Sequence, residues 1–316
     1  MNNQRQSSSV KTPMPEIEDI VGILPERVTV DILGLAINVL LWGDQRKPPI
    51  LLVHGTKDHA RSWDWTIAGL IKDYCLIAID LRGHGDSGHV PGGGYDHHDM
   101  VADVAAVMVR LEEKHSITGP FHLMGHSLGG NIVLHLAAAF PDSCRSVIAM
   151  EGLGVSQAMY DRFRAAAPGE HLRKWIDRKL AKLNRKERRF ADPQEAVARL
   201  QAVHENLKPE QARHLALHGI RQYGQGWGWK HDPLLGFYLP SMTRPEDYLY
   251  QFSGIRCPIL LMRGADSWAS DPERDGRMTA LNNVRLINYE NAGHWLHHDA
   301  FDAFLADVQN FLKETG

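Results

Sequence analysis

From position 28 the chain alternates apolar and polar side chains. Val28, Val30 and Ile32 are separated by Thr29 and Asp31, and after Gly34 the segment Ala36 to Leu41 repeats the strand signal. This pair predicts a hairpin at a sheet edge. Short, largely apolar runs follow at Ile50 to Val53, Leu76 to Ile79, Phe121 to Met124, Val147 to Met150 and Ile259 to Met262. Runs of this length suit strands buried on both faces of a parallel sheet. Between them, Met100, Val101, Val104, Val107, Met108 and Leu111 recur at helical spacing, as do Phe301, Phe304, Leu305, Val308 and Leu312. Asn131 to Phe140 is rich in Ala and Leu and stops at Pro141. Strands alternating with helices predict a doubly wound, mostly parallel α/β domain.

The alternation breaks near residue 152 and resumes near 257. The intervening stretch reads as helical and polar, with Lys and Arg crowded between Arg173 and Arg189 and Gly and Trp interleaved from Gly224 to Trp229. We therefore expect a flexible tail over 1–20, a core domain over 21–151 and 257–316, and a helical cap over 152–256, inserted after the sixth strand. The basic stretch reads as a cap helix with one solvated face, although its charge also suits a carboxylate-bearing substrate or an anionic membrane.

Composition narrows the partners. The chain has 316 residues, 35 Lys plus Arg against 38 Asp plus Glu, and a formal charge of −3. That balance argues against a general affinity for nucleic acid. No run approaches the ~20 apolar residues of a bilayer span, so stable membrane insertion is not expected. The polar N-terminus lacks a signal-peptide core, and the sparse, odd set Cys75, Cys144 and Cys257 suits a reducing compartment. A cytoplasmic location is the expectation.

Chemistry enters at Gly125-His126-Ser127-Leu128-Gly129, a G-x-S-x-G pattern between an apolar strand and an Ala-rich helix. A sharp strand-to-helix turn there lifts the Ser127 hydroxyl above the sheet, and the helix N-terminus points N–H groups at developing negative charge. A serine needs a base. His294, in Asn291-Ala292-Gly293-His294, follows the strand Val284 to Tyr289 and is the expected partner. His297 and His298 read as surface residues at a helix start.

With these residues in hand, the chain from about residue 28 onward resembles the α/β-hydrolase-fold enzymes. The matching pieces are His54-Gly55, Asp80-Leu81-Arg82-Gly83-His84-Gly85-Asp86-Ser87, the serine turn, Cys257-Pro258 and the Ala-Gly-His loop. The resemblance implies an oxyanion hole from the N–H groups of Thr56 and Leu128. It also implies a serine–histidine–acid triad. The usual acid position, three residues after Gly264, holds Ser267, with Asp266 one residue early. Met150-Glu151-Gly152-Leu153 is similar to the acid-bearing strand end of some haloalkane dehalogenases, which makes Glu151 the second candidate. The extra methylene of Glu favours Glu151 over Asp266. The dehalogenase likeness stops there, because the nucleophile is serine and an acyl-serine is readily hydrolysed.

The expected pocket gathers His54, Gly55, His126, Trp63, Trp268 and Trp295, with further tryptophans at Trp65, Trp227 and Trp229 making an aromatic wall. His97-His98 and the His54/His59 pair form no convincing ligand group, and no dinucleotide or phosphate loop appears, so neither metal nor cofactor is expected. The resulting expectation is a cofactor-free serine hydrolase for a small apolar or aromatic ester. Lactone or carbon–carbon bond hydrolysis on the same triad, and a non-catalytic ligand receptor, stay open alternatives.

Overall fold

A computed structural model describes residues 14, 19–183, 189–235 and 242–316. Most of the expected N-terminal tail, and part of the basic stretch, lie outside the described residues. The strands, in chain order, are β1 (Glu26–Ile32), β2 (Leu35–Trp42), β3 (Pro49–Val53), β4 (Cys75–Ile79), β5 (Phe121–His126), β6 (Cys144–Met150), β7 (Ile220–Tyr223), β8 (Gly226–Trp229), β9 (Ile259–Gly264) and β10 (Val284–Tyr289). The α-helices are α1 (Asp64–Leu70), α2 (His97–His115), α3 (Leu128–Ala139), α4 (Gln157–Arg164), α5 (Glu170–Leu183), α6 (Pro193–Val203), α7 (Pro209–Gly219), α8 (Pro245–Phe252), α9 (Leu296–Asp299) and α10 (Phe301–Thr315).

The main sheet runs β1-β2-β4-β3-β5-β6-β9-β10. The β1–β2 and β2–β4 pairs are antiparallel and the rest parallel, as the sequence predicts for an edge hairpin on a parallel sheet. All five residues of β3 are buried. Its alternate side chains serve opposite faces. Leu51 and Val53 join a core with Val104 of α2 and Ile132 of α3, whereas Ile50 and Leu52 join Ile67 of α1 and Phe304 of α10. Burying each such aliphatic side chain contributes about 1.5–3 kcal/mol.

This order has a functional consequence. From β3 the chain steps to β4 on one side, then crosses through α2 to β5 on the other. Loops leaving β3 and β5 therefore diverge, and the crevice at their C-terminal ends is where open α/β sheets bind ligands.

Between β6 and β9 lie α4 to α8 and a two-stranded sheet of β7 and β8. The expectation of an all-helical insertion is corrected here. Ile220 to Trp229 forms an antiparallel hairpin, closed by Gly224 at φ +60°. The pattern Gly-Trp-Gly-Trp carries too few side chains to announce a strand. The insertion has its own small core, with Phe190, Ala196, Ala216, Leu217, Ile220 and Trp227. Its contacts with the main domain include two loops. Leu215 O accepts from His59 Nε2 at 2.9 Å, and Asp232 N donates to Gly83 O at 2.7 Å. Among the described residues, no helix is long and apolar enough to cross a membrane.

Candidate active site

Ser127 stands at the turn from β5 into α3 with φ 53° and ψ −111°, a region that L residues rarely occupy. Strain of this kind costs about 1–3 kcal/mol and persists only where the surroundings hold it. They do so here: Ser127 N donates to Met150 O at 2.7 Å, and Asn131 N donates to Ser127 O at 3.1 Å. The turn also needs close backbone approach. A Cβ at Gly129 would stand 2.0 Å from Val53 O, so only glycine fits. Leu128 opens α3, and its N–H consequently has no partner within the helix. The loop after β3 lies against the same turn, since a Cβ on Gly55 would be 3.4 Å from Ser127 Cβ. Thr56, half-buried, follows directly.

His294 sits in the loop after β10, and its Nδ1 is 3.3 Å from Glu151 Oε2. The Glu151 side chain is 0% exposed. Its carboxylate takes two further hydrogen bonds: Gly264 N donates to Oε1 at 2.7 Å and the Ser267 hydroxyl donates to Oε2 at 2.6 Å. Glu151 itself has φ 56°, and its N–H donates to Met262 O at 3.0 Å. Asp266 is not brought into this group. Its side chain is exposed, and its backbone N–H donates to Ala292 O at 3.0 Å. Ser267 thus occupies the usual acid position and acts as a hydrogen-bond donor to a carboxylate arriving from β6. Sequence reasoning noted the serine and missed this contact.

The remaining expected pocket residues divide. His54 is fully buried; its Nε2 accepts from Leu81 N at 3.1 Å, and burial pushes its pKa down to about 3. It fastens the β3 loop to the β4 loop. His126 is buried too, with Nε2–H donating to His294 O at 2.7 Å, so the residue before the serine anchors the histidine loop. Burial and the neighbouring His294 hold its imidazole well below the ordinary range. Trp63 is 0% exposed and packs in the core with Ile67, its indole stacked on His297 with centroids 5.2 Å apart. Trp65 sets its edge against His214 and His298, and Trp227 belongs to the core of the insertion.

The aromatic wall is therefore smaller than expected. Trp229 and Trp295 line a cleft with Leu200 and Leu215, but Lys57, Asp58, Lys230 and His231 line it as well, so it is mixed in polarity. Asp58 is buried and its carboxyl is pushed up to about 7 by desolvation. Trp268 is 70% exposed, its ring 4.8 Å from that of His294. His297 and His298, expected at the surface, are buried, His297 against Trp63 and His126 and His298 against Trp65 and Gln211 of α7. The helix start is genuine, but residues distant in the chain cover it, and such cover is invisible in local sequence.

One group could ligate a metal. Asp64, His214 and His218 bring donor atoms within 4.8 Å of one another. Arg61 Nε already donates to both Asp64 oxygens, at 2.9 and 2.8 Å, and His214 Nε2 lies 3.0 Å from Oδ2. A guanidinium filling the carboxylate in this way leaves little room or net charge for a dication. The contact of His214 Nε2 with Asp64 Oδ2 ties α7 to α1.

Comparison with known proteins places the chain in a family. A serine hydrolase-like protein of Dictyostelium discoideum is 27% identical over 309 residues, covering 92% of this chain and 82% of that one. The esterase Rv0045c of Mycobacterium tuberculosis is 26% identical over 313 residues, covering 97% and 92%. Among solved structures, a thioesterase domain from the curacin biosynthetic pathway superposes with a TM-score of 0.75 at 23% identity, covering 90% of this chain and 99% of that one. A structure of the esterase Rv0045c gives 0.72 at 24%, covering 92% and 93%. The family model described as the alpha/beta hydrolase fold matches residues 48–301. That span takes in the serine turn, the buried glutamate and the histidine loop, and the chain belongs to the α/β hydrolase fold family.

Proposed function

We propose that the protein is a serine hydrolase that cleaves carboxylic esters through an acyl-serine intermediate. The observation that carries this reading is the buried Glu151 carboxylate within hydrogen-bonding reach of His294, beside a strained serine turn. Family membership and the esterases among its relatives support a hydrolytic activity.

In this reading Ser127 Oγ attacks the ester carbonyl while His294 Nε2 takes its proton. Glu151 holds the Nδ1–H, fixes the ring, and stabilises the imidazolium that forms. The N–H groups of Thr56 and Leu128 receive the oxyanion; one such donor is worth about 2.7–4 kcal/mol in the transition state. Collapse breaks the carbon–oxygen bond, and His294 returns the proton to the departing alcohol. Water, deprotonated by His294, then attacks the acyl carbon and releases the carboxylic acid and free Ser127. The segment 152–256 acts as a lid that shields these steps from bulk water.

A fluorophosphonate probe tests the proposal directly. The intact protein is expected to label and Ser127→Ala to stay unlabelled. An unlabelled intact protein would sink the reading. A panel of p-nitrophenyl esters and lactones of graded chain length then separates ester from lactone preference.

A further inference from the structure

Helix α5, Glu170–Leu183, sits in the insertion yet has no buried side chain among its described residues. Its half-buried line is His171, Trp175, Lys179 and Lys182, at spacings of four, four and three. Lys179 Nζ lies over the Trp175 ring and donates to Gly92 O at 3.0 Å. The aliphatic residues do not point inward. Leu172, Ile176 and Leu180 are 48%, 40% and 55% exposed, and their four-residue spacing places them on one stripe. A helix in water gains most of its stability by covering its apolar face, so a bare stripe over more than two turns asks for a partner.

The charges beside the stripe indicate which partner. Arg173, Lys174, Arg178, Lys179 and Lys182 stand against Glu170 and Asp177, an excess of three cations on one helix of a chain whose formal charge is −3. Arg173 and Lys174 pair along the helix with Asp177 and Glu170, and these contacts are solvent-exposed and weak. An apolar stripe on a helix whose remaining faces carry lysine and arginine is the pattern of a helix lying in the plane of an anionic bilayer surface. We propose that α5 is a membrane-surface docking helix, with Leu172, Ile176 and Leu180 entering the boundary between headgroups and acyl chains, Arg173 beside the stripe meeting anionic lipid headgroups, and the other cations adding to the attraction. This inference does not depend on the hydrolytic reading, because none of these residues belongs to the Ser127 site.

Flotation of the full chain with vesicles of phosphatidylcholine, pure or carrying a third phosphatidylglycerol, tests it. Binding is expected with the anionic vesicles and is expected to fall in high salt, since screening weakens each contact. Leu172→Ser/Ile176→Ser/Leu180→Ser should lower partitioning by about tenfold or more, and Arg173→Glu, which reverses the cation next to the stripe, should lower it several-fold through charge. Both variants change only exposed side chains, so their melting temperature and their fluorophosphonate labelling should match the parent. Equal partitioning onto the two vesicle types, or none onto either, would overturn the proposal. So would light scattering that finds a dimer dispersed by the triple-serine variant, which would assign the stripe to a second copy of the chain.

Discussion

Glu151 Oε2 and His294 Nδ1 lie 3.3 Å apart although they leave different strands, β6 and β10, with β9 between them. The glutamate spans that gap because its carboxylate passes over the end of β9, where Gly264 N and the Ser267 hydroxyl both donate to it. An aspartate there would be one methylene shorter.

Replacing this acid should therefore be decisive. Glu151→Gln keeps the shape but offers His294 a neutral amide, and kcat on a p-nitrophenyl ester should fall by about 10⁴, as acid removal does in comparable triads. Asp266→Asn changes an exposed side chain and should leave kcat within about twofold, as expected for surface substitutions. Steady-state kinetics with the reverse ranking would assign the acid to position 266.

Ser267→Ala removes one donor from the buried carboxylate. A hydrogen bond to a charged group contributes about 1.5–3 kcal/mol, so kcat/KM should drop by about tenfold to a hundredfold. The protein should stay folded, and Ser267→Thr, which restores the hydroxyl, should recover much of the loss. A variant as active as the parent would show that the contact is dispensable.

Acid should destabilise the fold before it reaches the usual carboxylate range. Burial pushes His54, His59 and His298 to about 3, and His122 and His231 to about 4. The unfolded chain protonates these groups near 6.5 and the folded one does not, so their stabilisation is complete above that pH and is lost as pH falls below it. Each contributes about 1.4 kcal/mol per pH unit in that window. Asp58 works in the opposite sense: raised to about 7, it favours the folded state as pH falls below neutrality. Five imidazoles outweigh one carboxyl, so Tm should decline steadily from pH 7 to pH 5. A Tm that is level or rising over that interval contradicts the buried-imidazole account.

Two of the tryptophans expected in the aromatic wall, Trp63 and Trp268, should behave differently. Trp63→Ala opens a cavity in the core and should cost about 3–5 kcal/mol of stability, visible as a large fall in Tm. Trp268→Ala should leave Tm in place. Its ring lies 4.8 Å from the His294 ring, where it can stabilise the imidazolium by about 0.5–1 kcal/mol, so a two- to fivefold loss of kcat is expected. Both readouts come from one melting curve and one rate measurement per variant.

The sequence exposes much of this fold through local patterns. The apolar runs of β3, β4, β5, β6 and β9 and the stripes of α2 and α10 lie where periodicity puts them, because each segment is buried by its own side chains. Ser127 is legible for the same reason: its turn is built from adjacent residues. What stays hidden is set by distant contacts. His297 is buried by Trp63 and His126, and His298 by Trp65 and α7, all distant in the chain. The direction in which Asp266 points depends on the backbone hydrogen bond to Ala292, and that loop arrives from another strand. The hairpin of β7 and β8 escapes because glycine supplies half of one strand and therefore no alternation.

The bond from Asp232 N to Gly83 O, reinforced by Tyr95 donating its hydroxyl proton to Asp232 Oδ2 at 2.5 Å, has a practical bearing on engineering. Anyone exchanging the inserted segment for that of another enzyme cannot treat the two chain crossings after β6 and before β9 as its only moorings. A transplanted segment must bring its own partner for Gly83, and for the other main-domain groups that the native one engages, such as Asp64 and His59.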